Sequence, residues 1–323
     1  MCGIVGFIDK SKNKKKIIKD MADLIKHRGP DSDGYYIDDY IALGFRRLSI
    51  IDLAGGDQPI YNEDKTKLVF MNGEIYNYKE IKEDLISKGH KFSTNADTEV
   101  LLHGYEEYRE GLLDKLRGMF AFIIYDIENK ELFGARDFYG IKPLYYYVTD
   151  DEFMYSSEIK SFLGHPNFKK ELNRDMLEDY LTFQYSVGEE SFFKNVYKLR
   201  PGHYFKYKDG KLTINEYYSI KFEQDDSKTE EEWKEDVKNL LADSIEAHKV
   251  SDVEVGSFLS SGVDSSFVAT ASKVDKTFTV GWDNKKYSEI DYAKELSEMI
   301  NVKNVSKKIS KKNILIILII FSI

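Results

Sequence analysis

Between residues 223 and 236 the chain reads EQDDSKTEEEWKED, an acidic stretch crossed by no apolar period. A strand or helix that packs into a core needs a repeating apolar face, so one core cannot run the length of this chain. The stretch is read as a solvated linker between two folding units, which suits 323 residues at roughly 100–200 per domain. Before it, short runs rich in Val, Ile, Tyr and Phe are punctuated by turn signals. Ile4–Ile8, Lys67–Asn72, Phe120–Tyr125 and Pro143–Tyr147 are expected as strands, and Thr98–Tyr108 as a helix. A helix and a Tyr/Phe-rich stretch follow around Asn173–Tyr185. Asp209-Gly210 between two alternating runs signals a hairpin, read here as a connecting element.

After the linker the pattern changes. Thr229 and Glu232 form a capping box, and Trp233, Val237, Leu240, Leu241 and Ile245 mark one helix face. Glu254–Leu259 reads as a strand, Phe267–Lys273 as a helix, Thr277–Trp282 as a strand and Ser288–Ile300 as a helix. Strand and helix in alternation predict a parallel α/β sheet.

Composition excludes several classes. Hydrophobic residues at 42% and aromatics at 14% are those of a folded protein. A net charge of −9 argues against general affinity for nucleic acid or anionic membranes. One cysteine rules out a disulfide framework, multi-cysteine zinc sites and iron–sulfur clusters, and no metal-ligating residues are expected. At the N-terminus an apolar stretch precedes a basic run, the reverse of a secretory signal, so a reducing, cytoplasmic location is expected.

The cysteine stands at position 2. Removal of Met1 would leave a thiol and a free α-amine on one residue, a nucleophile and a base together. An α-amine with a pKa of about 7.7–8.0 is partly neutral near pH 7 and can take the thiol's proton. MCGIVGF, HRGPDSDG (from His27), RRLSIIDL (from Arg46), MNGEIYNY (from Met71), DTEVLLHGY (from Asp97), RGMFAF (from Arg117) and ARDFYGIKPLYY (from Ala135) occur in that order. This set resembles the glutaminase domain of class II glutamine amidotransferases, and within them the glutamine-hydrolysing asparagine synthetases. The resemblance implies an Ntn-hydrolase fold, a four-layer αββα sandwich of α+β class, with Cys2 as nucleophile. Asn72 and Gly73 would form the oxyanion hole that amide hydrolysis requires. Arg47 would hold the α-carboxylate of glutamine and Asp97 its α-ammonium, with Leu48, Ser49, Ile50, Ile51 and Glu74 shaping the pocket. His27 to Asp31 is read as a turn that orders the site.

LSSGVDSS, from Leu259, lies where a strand feeds a helix, a place for backbone N–H groups and hydroxyls to meet an anion. It resembles the pyrophosphate loop of ATP pyrophosphatases, with Ser261 replacing a glycine of that motif. Ser260, Ser261, Gly262, Asp264, Ser265 and Gly281 would bind ATP, and Leu259 and Val280 would contact the adenine. The implied domain is an incomplete α/β PP-loop, Rossmann-like fold.

The resulting layout is a glutaminase domain at 1–205, a connecting hairpin and acidic linker at 206–228, and the first part of a synthetase domain at 229–310. An apolar tail occupies 311–323. The implied reaction amidates aspartate to asparagine, using ATP with Mg²⁺ and ammonia from glutamine hydrolysed at Cys2. Glutamine, aspartate and ATP are then the partners, and a homodimer is the implied assembly, without membrane or nucleic acid. The synthetase family's later Ser-Gly-Glu-Gly segment does not occur, so glutaminase activity alone is expected of this chain. The rivals are a stand-alone glutaminase, an inactive remnant, or another class II amidotransferase. The tail's apolar run, ILIILIIFSI from Ile314, is shorter than the roughly 17–25 residues that span a bilayer. A permitted back-translation of KKNILIILIIFSI, shifted by two bases, encodes Lys-Glu-Tyr-Phe-Asp-Asn-Phe-Asp-Asn-Ile-Gln-Tyr. Out-of-frame translation from near Lys311 is therefore expected, and sequencing the locus checks it.

Overall fold

A computed structural model describes residues 1–310 and 313, so the tail apart from Asn313, and with it the expected frameshift, lies outside the described residues. The chain divides into two units, Met1–Glu223 and Gln224–Ile323. In the first, β1 (Gly3–Ile8), α1 (Lys14–Asp23), β2 (Ser32–Ile37), β3 (Ile41–Arg47), β4 (Ile60–Tyr61) and β5 (Lys67–Ile75) lead to α2 (Tyr78–Ser87) and α3 (Glu99–Tyr108). Then come β6 (Gly118–Asp126), β7 (Glu131–Arg136), β8 (Tyr145–Val148), β9 (Phe153–Ser156), α4 (Asp175–Phe183), β10 (Val196–Lys198), β11 (His203–Lys208) and β12 (Lys211–Glu216). The strands form two six-stranded sheets, ordered β10-β8-β9-β1-β3-β2 and β12-β11-β7-β6-β5-β4.

Alternation along each strand builds the layers. Ile4, Ile8, Leu43 and Phe45 of the first sheet meet Leu68, Phe70, Ile123 and Tyr125 of the second in one buried cluster. Gly6 is required in this layer, because a Cβ there would lie 2.5 Å from the Tyr155 ring. The opposite faces carry helices. Val5 and Phe7 pack on Ile17, Ile18 and Met21 of α1. Val69, Phe120 and Phe122 pack on Leu85 of α2 and on Val100, Leu101 and Tyr105 of α3. The result is the expected order of helix, sheet, sheet and helix.

The Asp209-Gly210 hairpin forms, with φ of 50° and 76° at its two central residues, as a two-residue turn with both φ positive demands. Its role differs from the one expected. β11 pairs with β7, with Phe205 opposite Gly134, so the hairpin is the edge of the second sheet and belongs to the first unit, not to a connector. Gly134 permits this pairing, since a Cβ there would lie 2.3 Å from the Phe205 ring.

The second unit contains α5 (Glu230–Ala247), β13 (Gly256–Phe258), α6 (Val263–Ser272), β14 (Lys276–Trp282), α7 (Ile290–Met299) and β15 (Lys303–Ile309). The expected capping box opens α5. The sheet is parallel, ordered β13-β14-β15. The third strand, KNVSKKI, went unrecognised in the sequence because its lysines hide the alternation, a composition typical of exposed edges. Leu259, Ala269 and Ala293 form the buried cluster of this unit.

Candidate active site

Cys2 sits immediately before β1, in the middle of the first sheet. Arg28 holds it by donating from Nε to the Cys2 carbonyl at 2.8 Å, while Glu158 accepts from Arg28 Nη1 at 2.9 Å. The next turn of backbone is fixed by Ser157, whose Oγ accepts from Ile4 N. The thiol lies 3.4 Å from Leu48 N and 3.5 Å from Leu48 O. Burial pushes its pKa up, against the N–H of Leu48. Burial lowers the pKa of the Met1 amine.

One pocket brings together most of the residues expected from sequence: Cys2, Arg47, Leu48, Ile50, Ile51, Asn72, Gly73, Glu74 and Asp97. Asn72 is 1% exposed, and neither its Oδ1 nor its Nδ2 has a hydrogen-bond partner. Such a buried amide is costly to leave unpaired unless a ligand completes it. Gly73 offers its N–H to the same side. Met71 N donates to Gln58 Oε1 and Ile75 N to Asp97 Oδ2. Alternate N–H groups of a strand point the same way, so the N–H of Gly73 lies between these two, along the edge of β5 that faces away from β6. A side chain cannot be added here, because a Cβ would come within 2.4 Å of Met119 O.

Asp97 is nearly inaccessible, and burial pushes its carboxyl up to about 7, with Glu74 adding to the rise against the Ile75 N–H. Arg47 is buried at the end of β3. Its guanidinium donates to Ile51 O at 3.2 Å, Asp52 O at 2.6 Å and Asp57 Oδ1 at 2.9 Å, which shapes the loop carrying Ile50 and Ile51. Ser49 does not line the pocket; its N–H donates to Asp31 Oδ2, tying this loop to the His27–Asp31 turn. Gly29 lets that turn pack on β3, where a Cβ would meet Arg46 O at 2.4 Å.

Two lining residues were missed. Gln58 bridges Met71 N and Thr98 Oγ1 across the pocket. Lys142 is buried, and burial lowers its pKa. It is delivered by ARDFYGIK: Arg136 donates to the carbonyls of Gly140, Lys142 and Leu199, while Asp137 accepts from the N–H groups of Ile141 and Lys142. A lone lysine inside that motif was the available signal.

In the second unit, LSSGVDSS forms the expected turn into α6, with Gly262 as N-cap. Its donors close on the loop itself and on Glu289. Ser260 Oγ lies 2.8 Å from Ser265 Oγ, Gly262 N donates to Ser260 Oγ, and Ser261 Oγ donates to Glu289. Leu259 is buried, and Thr279 Oγ1 donates to its carbonyl. Val280 is half exposed, while Gly281 faces Ile290 and Ser288, where a Cβ would have no room. Asp264 lies in the first turn of α6.

Two sheets packed face to face between helix layers, with Cys2 preceding an inner strand and Asn72 lining the same pocket, form the Ntn-type architecture. Residues 1–218 match the glutamine amidotransferase domain model, and the chain belongs to that family. Residues 236–319 match the asparagine synthase model. Asparagine synthetase [glutamine-hydrolyzing] 1 of Bacillus subtilis (strain 168) is 43% identical over 320 residues, covering 96% of this chain and 50% of that protein. A putative asparagine synthetase [glutamine-hydrolyzing] 2 of Methanocaldococcus jannaschii is 37% identical over 326 residues, covering 91% of this chain and 62% of that protein. The chain thus spans about half the length of the curated relatives it matches. In fold it is similar to glutamine phosphoribosylpyrophosphate amidotransferase of B. subtilis, with a TM-score of 0.51 at 17% identity, covering 94% of this chain and 65% of that one. No helix among the described residues is long and apolar enough to cross a membrane.

Proposed function

We propose that the first unit hydrolyses glutamine to glutamate and ammonia at Cys2. The observation that carries this reading is the buried, unpaired side-chain amide of Asn72 in the pocket that also holds Cys2. After Met1 is removed, the Cys2 amine takes the thiol's proton and the thiolate attacks the side-chain carbonyl of glutamine. The negative charge that develops on the carbonyl oxygen is met by Asn72 Nδ2 and the Gly73 N–H, donors that need little reorganisation. The Cys2 ammonium so formed returns that proton to the amide nitrogen, the C–N bond breaks and ammonia leaves, and water then releases glutamate from the thioester. Asp97 pairs with the substrate's ammonium, whose charge also favours the ionised carboxylate. Arg47 and the loop it braces receive the substrate carboxylate.

For the second unit we propose a part in aspartate amidation through an aspartyl adenylate, the activity of asparagine synthetases. ATP is a substrate there, entering with Mg²⁺. The hydroxyls of Ser260, Ser261 and Ser265 and the N–H groups at the start of α6 are donors suited to its pyrophosphate, once turned outward from the loop. Cytoplasmic biosynthesis and a homodimeric assembly accompany this reading.

One experiment separates the two activities. The purified chain is given glutamine, aspartate and Mg·ATP, and glutamate and asparagine are scored separately, with the N-terminus checked by mass spectrometry. Glutamate release is expected from the first unit, and asparagine formation reads the second unit separately. No glutamate from chain lacking Met1 would overturn the glutaminase reading.

A further inference from the structure

Beside α3, four side chains converge without a role in glutamine hydrolysis. They are Glu63 from the β4–β5 turn, His90 from the segment after α2, and His103 and Glu106 from α3, with ligand atoms all within 4.8 Å of one another. We propose that they form a binding site for a divalent transition-metal cation of the zinc type.

The spacing suits such an ion. His103 Nδ1 lies 3.2 Å from Glu106 Oε2 and 3.7 Å from Glu63 Oε2, and His90 Nδ1 lies 3.9 Å from Glu106 Oε2. Zinc bonds of about 2.0–2.2 Å to nitrogen and oxygen put tetrahedral ligands about 3.3–3.6 Å apart, so the widest separation closes by about 1.2–1.5 Å to complete the shell. Each carboxylate is already aimed. Glu63 Oε1 accepts from Lys91 N at 2.8 Å and Glu106 Oε1 accepts from Asn62 Nδ2 at 2.7 Å, which directs both Oε2 atoms toward the imidazoles.

The outer nitrogens provide an independent observation. His103 is fully buried and its Nε2 has no hydrogen-bond partner, with Glu99 Oε1 at 3.5 Å. Glu99 is itself fixed by the N–H and hydroxyl groups of Ser93 and Thr94. His90 Nε2 faces Glu107 Oε2 at 3.6 Å. A carboxylate behind the second nitrogen of each histidine is the support that orients metal-ligating imidazoles.

The consequence is mechanical. The metal would tie the β4–β5 turn and the His90 segment to α3. Asp97 lies between Thr94 and Glu99 on the segment so anchored. No motif spacing marks the four ligands in sequence, which is why no metal site was expected.

The test uses the full, untagged chain carrying Cys2→Ala, which removes the competing thiol and makes the result independent of glutaminase activity. Zn²⁺ is titrated by calorimetry, and Co²⁺ is added to read the intense visible absorption of a tetrahedral site. One equivalent per chain is expected, lost in Glu63→Gln and His90→Ala backgrounds and weakened about 10- to 100-fold by Glu107→Gln. Circular dichroism checks His90→Ala; Glu63 is exposed, so its variant decides if His90→Ala unfolds. No saturable binding to the Cys2→Ala chain, or one equivalent retained by Glu63→Gln, would overturn the proposal.

Discussion

The two units use similar apolar residues to opposite effect. Between the sheets of the first, Phe70, Ile123, Tyr125 and Phe153 are wholly inaccessible, and both sheets have a helix layer on the other side. In the second, the described residues cover one face of the sheet. Along β14, Thr277, Thr279 and Gly281 are buried while Phe278, Val280 and Trp282 are 39, 53 and 44% exposed. Phe258 is 81% exposed, and none of α5 is buried. Parallel sheets are ordinarily covered on both faces. A catalytic pocket depends on positions held to a fraction of an ångström by packed neighbours. Cys2 and Asn72 have such neighbours, whereas the serines of the α6 loop are held mainly by one another.

The comparison can be broken in several places, and the largest expected effect is chemical. Cys2→Ala should reduce glutamate release to background with the thermal melt of the first unit unchanged; residual turnover would place the nucleophile elsewhere. Asn72→Ala should lower kcat by about 10²- to 10³-fold, the usual loss for one oxyanion donor, with a smaller change in KM. On the stability side, Phe70→Ala should cost about 3–5 kcal/mol in denaturant titrations, since it opens a cavity between two sheets. No single apolar truncation on the uncovered face of β14, such as Val280→Ala, should approach that.

Asp97 gives a pH test. Its carboxyl titrates near 7 folded and near the ordinary aspartate value unfolded, so between roughly pH 4 and 7 the folded state holds the extra proton and stability falls as pH rises. Asp97→Asn should remove that fall, making the variant the more stable protein above pH 7. It should also raise KM for glutamine, and the wild-type KM should itself rise below pH 7 as the carboxylate is protonated. The smallest effect belongs to the second unit. Thr229→Ala should cost about 1 kcal/mol, read as faster amide exchange confined to α5.

Much of the first unit was legible because period-2 alternation and turn chemistry are local signals. Asp209-Gly210 announced its hairpin, but not that β11 would join β7, since strand partners are chosen by sheet packing. Cys2, Asn72 and Asp97 were recognisable through short motifs; Lys142 and Gln58 were not, because what brings them to the pocket is buried hydrogen bonding by Arg136, Asp137, Met71 and Thr98. Arg47 was read as a substrate ligand, and its further work bracing Ile51, Asp52 and Asp57 depends on a loop path that no spacing encodes. β15 escaped notice for the same kind of reason, its strand character coming from pairing with β14.

The crowding around Gly73 carries a consequence for engineering. The carbonyl of Met119 occupies the volume that any side chain at this position would need. Substitution here therefore cannot tune substrate choice without first parting β5 from β6, and β6 is itself in the middle of its sheet. Designers seeking a different amide substrate would do better to vary the walls at Ile50 and Ile51, leaving the donor strand and the Gln58 that braces it as fixed infrastructure.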